Sequence, residues 1–215
     1  MKNIGVLVSG GGTNLQAILD AVDAGKITGG RVALVLSSKP SAYALTRAEE
    51  HGIPTAVVDS AEYKHGDILD RDAFCRTIAE RFAEYSIDLV VLAGFNFVLS
   101  HEFVALYPNR IMNVHPALIP SFCGKGFYGL HTHRAVLASG VKLTGATVHF
   151  VNDEADAGPI IAQKAVAVRH GDTPELLQRR VMEQAEWVIL PEAIDLFCRD
   201  HIFIENGIAY VREDC

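Results

Sequence analysis

The sequence predicts an α/β protein built on an open, doubly wound, mostly parallel sheet. Short Val/Ile/Leu runs alternate with amphipathic stretches from the first residues, the pattern of strands covered by helices on both faces. Glycines at 25 and 52 close the first two amphipathic stretches, where a helix end favours them. The chain's 215 residues, 49% hydrophobic and 21% charged, can bury a sizeable core and do not read as disordered.

Taken in order, NIGVLVS is a buried strand and TNLQAILDAVDAG a helix. Strand RVALVLSS and helix SAYALTRAEEHG follow, then strand TAVVDS and helix RDAFCRTIAERFAEY. DLVVLAGF is the fourth strand, HEFVALY a short helix, and RIMNVHP the fifth strand. Residues 117–130 form a Gly/Pro/aromatic loop before the helical LHTHRAVLASG. KLTGATVHFV and PIIAQKAVAV are two further strands around the acidic loop NDEADAG. A long helix starts at Thr173–Pro174, with proline in its favoured first turn, and Pro191 is expected to kink or divide it. IFIENGIAYV reads as a hairpin turning at Asn206–Gly207. The expectation is one domain over 1–215, with a Rossmann-like half at 1–110 that holds a phosphate or nucleotide and a half at 111–215 that completes the site.

A formal charge of −7 with no Lys/Arg cluster argues against a nucleic-acid partner. The apolar start is too short for a signal peptide, and LVVLAGFNFVL is too short to span a membrane. Cysteines 75, 123, 198 and 215 show no metal-ligand spacing and read as reduced thiols, so a cytoplasmic location is expected. Monomer and homodimer both stay open.

Three stretches carry chemistry. SGGGTNLQ (9–16) joins the first strand to the first helix, and Thr13 with Gln16 fits a capping box. It lacks the third glycine of a dinucleotide fingerprint and the Gly-Lys-Ser/Thr of a Walker loop. It reads either as a site for a lone phosphate or as a tight turn. Asn113 and His115 end the fifth strand, two apart and so on one side of it, facing the same crevice as the glycine loop. They suit an oxyanion donor and a proton carrier, or equally a capping Asn and a satisfied core histidine. NDEADAGP offers Asp153, Glu154 and Asp156, as a solvated turn or as a carboxylate that orients a histidine or water. His131 and His133 form an HxH pair, but residues two apart diverge by about 200° on a helix, so no metal site is expected.

SGGGTNLQAI, VVLAGF, NVHPALIPSF, GLHTHRAVL and TGATVHFVNDEADAGPII, in this order and spacing, resemble the phosphoribosylglycinamide formyltransferases over residues 4 to about 190. The resemblance implies the formyltransferase fold and transfer of the formyl group of 10-formyltetrahydrofolate, as co-substrate, to the amine of glycinamide ribonucleotide in purine synthesis. It implies Asn113, His115 and Asp156 as the catalytic trio, acting on a tetrahedral intermediate without a metal. Gly12, Thr13, Asn14 and Glu186 are implied for the ribonucleotide. Arg71, Asn96, Phe97, Val98, Leu99, Asn113 and His131 are implied for the folate. Glu186 is expected on the helix face opposite Leu177, Val181 and Val188. Two departures stand out: many members read GFMRIL where this chain has GFNFVL, and SFCGKGFYG is a longer loop than in the shortest members, suited to a mobile lid. The alternatives are a formyltetrahydrofolate hydrolase, whose regulatory domain has no room ahead of the first strand here, and a non-catalytic phosphate-sensing module. A tRNA-directed formyltransferase would need a further C-terminal domain.

Overall fold

The computed structural model describes residues 1–212, so Cys215, expected to be a reduced thiol, lies outside the described residues. The chain divides into a first compact unit, Met1–Met112, and a second that begins at Asn113.

The first unit holds β1 (Lys2–Val8), α1 (Thr13–Asp23), β2 (Gly30–Ser37), α2 (Tyr43–Glu50) and β3 (Thr55–Val57). After a 3-10 turn come β4 (Lys64–His65), β5 (Ile68–Leu69), α3 (Arg71–Glu84), β6 (Leu89–Leu92), α4 (His101–Leu106) and the start of β7 (Ile111–His115). Strands β1, β2, β3 and β6 pair in parallel, and β6 is buried along its whole length. Helix α1 buries Leu15, Ile18 and Leu19, and α3 buries Phe74, Ile78 and Phe82. Each such side chain stabilises by about 1.5–3 kcal/mol, which explains why the apolar periodicity is so legible. The small β4–β5 ladder, turning at Gly66, is not anticipated by the sequence pattern.

The second unit continues with α5 (Gly129–Ser139), β8 (Leu143–Phe150), β9 (Ile160–Ala167) and α6 (Pro174–Val181). A π-helical turn over Met182–Glu186 leads into α7 (Trp187–Cys198), then β10 (Ile202–Glu205) and β11 (Ile208–Val211). Strands β8 and β9 are antiparallel around the acidic loop. The closing β10–β11 hairpin turns at Asn206 and Gly207, both with positive φ, as expected. The strand order of the seven-stranded sheet is β3-β2-β1-β6-β7-β8-β9, mostly parallel as the sequence predicts.

Three local expectations need correction. Thr13 does not cap α1: Gly12 is the cap residue, with φ 74°, and makes no side-chain cap hydrogen bond. Gln16 instead donates to Asp20 (2.8 Å) and accepts from Arg47 (2.8 Å). The long helix is interrupted at the π turn, upstream of Pro191, which sits buried inside α7. That turn inserts an extra residue and rotates the next helix by about 100°. Glu186 therefore does not face away from the apolar stripe; it is 6% exposed while Val188 is only partly buried.

Candidate active site

In the first unit, β1 runs into a glycine turn. A Cβ on Gly12 would meet the Ala44 Cβ at 2.6 Å and its Cα at 2.8 Å, so only glycine lets this turn lie against α2. Gly10 and Gly11 have open space where a Cβ would project. The turn is tied down on several sides. Ala44 N–H donates to the Gly10 carbonyl (3.1 Å), and Arg47 Nε donates to the Gly11 carbonyl (2.9 Å). Ser9 Oγ pairs with Ser38 Oγ (2.7 Å) and accepts from Asn96 N–H (3.1 Å). The result is an uncapped helix start with a guanidinium beside it, which suits an anion.

Asn96 to Leu99 follow β6 in irregular backbone. Val98 is 62% exposed and Leu99 buried. Phe97 belongs to an aromatic cluster, its ring 5.3 Å from that of Phe74 and 5.6 Å from that of Phe95. Arg71 opens α3 behind the cap Asp70, whose carboxylate accepts from Ala73 N–H. Leu69, Asp70, Arg71, Asp72 and Val98 together line an open hollow.

In the second unit, the end of β7 meets the acidic loop. Asp156, in the left-handed region at φ 57°, turns its carboxylate inward. Its Oδ2 lies 3.4 Å from His115 Nδ1 and accepts from Gly124 N–H at 2.8 Å. Its Oδ1 lies 3.6 Å from His149 Nε2. His149 Nδ1 donates to the Phe150 carbonyl (2.8 Å), which leaves Nε2 of the neutral ring to accept from Asn113 Nδ2 at 3.3 Å. An Asn amide carries a second N–H, free to serve another acceptor. Burial opposes ionisation of Asp156, but the facing His149 ring, the charge of His115 and the Gly124 N–H outweigh it and hold the pKa below the usual carboxylate value. Of these, Gly124 is the short contact.

His115 is 3% exposed, and its Nε2 lies 2.8 Å from the Phe122 carbonyl. Burial lowers its pKa, against the pull of Asp156 and the Phe122 carbonyl, with His149 adding to the lowering. The geometry favours a proton on each ring nitrogen while burial disfavours the charge. The net shift is downward, while Asp156 and the Phe122 carbonyl are placed to receive a proton from either nitrogen, which suits the ring to proton exchange.

A formyl transferase family model matches residues 2–194. The Escherichia coli (strain K12) phosphoribosylglycinamide formyltransferase is 40% identical over 97% of this chain and 93% of its own length. The crystal structure of glycinamide ribonucleotide transformylase 1 from Symbiobacterium toebii superposes with a TM-score of 0.90 at 44% identity, covering 99% of this chain and 95% of that one.

The chain belongs to the phosphoribosylglycinamide formyltransferases, in the formyl transferase family. It is a folate-dependent formyltransferase of purine biosynthesis, with 10-formyltetrahydrofolate as co-substrate. The chain spans 20% of the trifunctional purine biosynthetic protein adenosine-3 of Bos taurus, to which it is 42% identical.

Within this formyltransferase the structure brings Asn113, His115 and Asp156 around His149, while Asp153 and Glu154 are exposed. His131 is exposed on α5 with its ring 5.0 Å from that of Tyr128, whereas His133 is fully buried. Burial and the charge of His115 push the His133 pKa down to about 4. Among the described residues no group of three or more His, Cys, Asp or Glu is placed to hold a metal ion. Sequence reasoning missed His149, Arg47 and the loop backbone at Phe122 and Gly124. His149 had a signal, as the one histidine inside a strand ending at the acidic loop. Arg47 carries no signal beyond its place in a helix, and backbone contacts leave no trace in residue type.

Proposed function

We propose that Asn113, His115 and Asp156 carry the transfer of the formyl group to the amine of glycinamide ribonucleotide. The amine attacks the formyl carbon, and the oxygen of the tetrahedral intermediate becomes anionic. Asn113 donates its second N–H to that oxygen, its first being anchored on His149. His115, protonated before the attack, donates from its ring to the same oxygen, and the Asp156 carboxylate favours that charged imidazole. Asp156 also orders the water that carries a proton from the amine to the leaving nitrogen. The observation that carries this reading is the 3.4 Å approach of His115 to Asp156 with Asn113 held beside them.

The uncapped start of α1, with Gly12, Thr13 and Asn14, is proposed to hold the ribonucleotide phosphate, and the buried Glu186 to contact the same substrate. Arg71, Asn96 to Leu99, Asn113 and His131 are proposed for the folate. Because the Phe97 ring is engaged with Phe74 and Phe95, its part is proposed to be a backbone one. The proposal treats residues 1–215 as one functional domain in the cytoplasm, in agreement with Cys75 and Cys123, which form no disulfide.

The experiment follows tetrahydrofolate and formate from 10-formyltetrahydrofolate, with and without glycinamide ribonucleotide. Tetrahydrofolate forming only with the ribonucleotide, without formate, is the expected result. Formate release independent of the acceptor would make the chain a hydrolase instead.

A further inference from the structure

Both ring nitrogens of His115 are engaged. Nε2 meets the Phe122 carbonyl at 2.8 Å, and Nδ1 faces Asp156, whose Oδ2 takes the Gly124 N–H at 2.8 Å. The backbone of one short segment thus grips two of the three side chains assigned to the chemistry. A peptide carbonyl on Nε2 occupies the place a formyl oxygen needs in order to receive that hydrogen bond.

The segment's stem and tip are held differently. Ahead of it, Thr147 Oγ1 donates to the Ala117 carbonyl (2.7 Å) and accepts from Ile119 N–H (3.1 Å). Gln163 Nε2 donates to the Ile119 carbonyl (2.9 Å) and to Thr147 Oγ1 (3.0 Å). The stem is therefore fastened to β8 and β9. The tip is held mainly by itself. Phe122 at φ 52° and Gly124 at φ 83° aim the two backbone groups inward. The Phe127 ring meets that of Phe122 edge-on at 6.2 Å, and Phe127 N–H donates to the Gly124 carbonyl at 3.1 Å.

We propose that the Phe122–Gly124 backbone is a plug on His115 that sets the specificity for transfer over hydrolysis. The proposal rests on the roles given above to Asn113, His115 and Asp156. Hydrolysis would bond a water oxygen to the formyl carbon, break the bond from that carbon to N10 and pass a water proton to N10. Its products are tetrahydrofolate and formic acid, which ionises to formate. While the plug is seated, His115 has no N–H for the formyl oxygen. An oxygen carrying full negative charge is a stronger acceptor than a peptide carbonyl and displaces it. An amine nucleophile generates that charge readily; water, a weaker nucleophile, does so rarely.

The test uses Phe127→Ala, which removes the ring contact without altering Phe122 or Gly124, and Gly124→Ala, which puts a side chain on a residue at φ 83°. Formate release from 10-formyltetrahydrofolate is measured without acceptor, transfer with saturating glycinamide ribonucleotide, and exchange of the Gly124 amide by hydrogen–deuterium exchange. For Phe127→Ala the expected result is faster Gly124 exchange and about tenfold more acceptor-free formate, the scale of one ordinary hydrogen bond, with transfer changed less than about threefold. A rise in formate release in either variant supports the plug. Release at the wild-type rate in both overturns it, whatever the exchange rates. Absence of acceptor-dependent turnover in the wild type would refute the transferase reading, which is separate because the formate comparison is made without acceptor.

Discussion

His133 ties stability to pH in a way that can be worked out in advance. Its side chain is fully buried, and neither ring nitrogen has a hydrogen-bond partner among the described residues. Burial first, then the charge of His115, pushes its pKa from 6.5 down to about 4. The folded pKa lies below the unfolded one, so between those values the unfolded chain binds a proton that the folded chain refuses. The stabilisation is present above about pH 6.5 and is lost as pH falls toward 4. The full loss is about 3 kcal/mol, of which about 1.4 kcal/mol has gone by pH 5.5. His133→Leu keeps an apolar group of similar bulk and removes the titration. Urea unfolding of both proteins from pH 7.5 to 5.5 should show wild type losing about 1.4 kcal/mol relative to the variant. His115 and Asp156 titrate in both and largely cancel. Parallel stability curves would refute the reasoning and mean that His133 accepts its proton in the folded state.

Asn113→Ala should slow turnover by about 10²–10³-fold, the usual cost of losing one oxyanion donor, with little change in the melting temperature; near-normal turnover would remove Asn113 from the chemistry. Gly12→Ala places a Cβ 2.6 Å from that of Ala44 at φ 74°, so it should cost about 1–3 kcal/mol of stability and raise KM for the ribonucleotide, checked by melting and by steady-state kinetics. Glu186→Gln, which keeps the buried shape but removes the charge, should raise KM for the ribonucleotide about tenfold or more, with unchanged KM for the folate. An equal rise in both KM values would mean that Glu186 holds the fold rather than the substrate.

Local pattern by itself determined the class of this protein. Strand and helix periods, the glycines closing α1 and α2 and the Asn206–Gly207 turn are set by neighbours in the chain, so residue type reports them directly. The place of Asn113 and His115 at the end of a strand was legible for the same reason, since the strand pattern is local. Which acidic-loop carboxylate turns inward was open from spacing; only the tertiary structure shows Asp156 reaching His115 while Asp153 and Glu154 stay exposed. The π turn that carries Glu186 inward was equally closed to a 3.6-residue period, because packing against β8 and β9 selects the extra residue. His149 and the Phe122 and Gly124 backbone lie against these side chains for a similar reason: strand register and loop path, settled by contacts between residues far apart in the chain, decide what touches Asn113, His115 and Asp156.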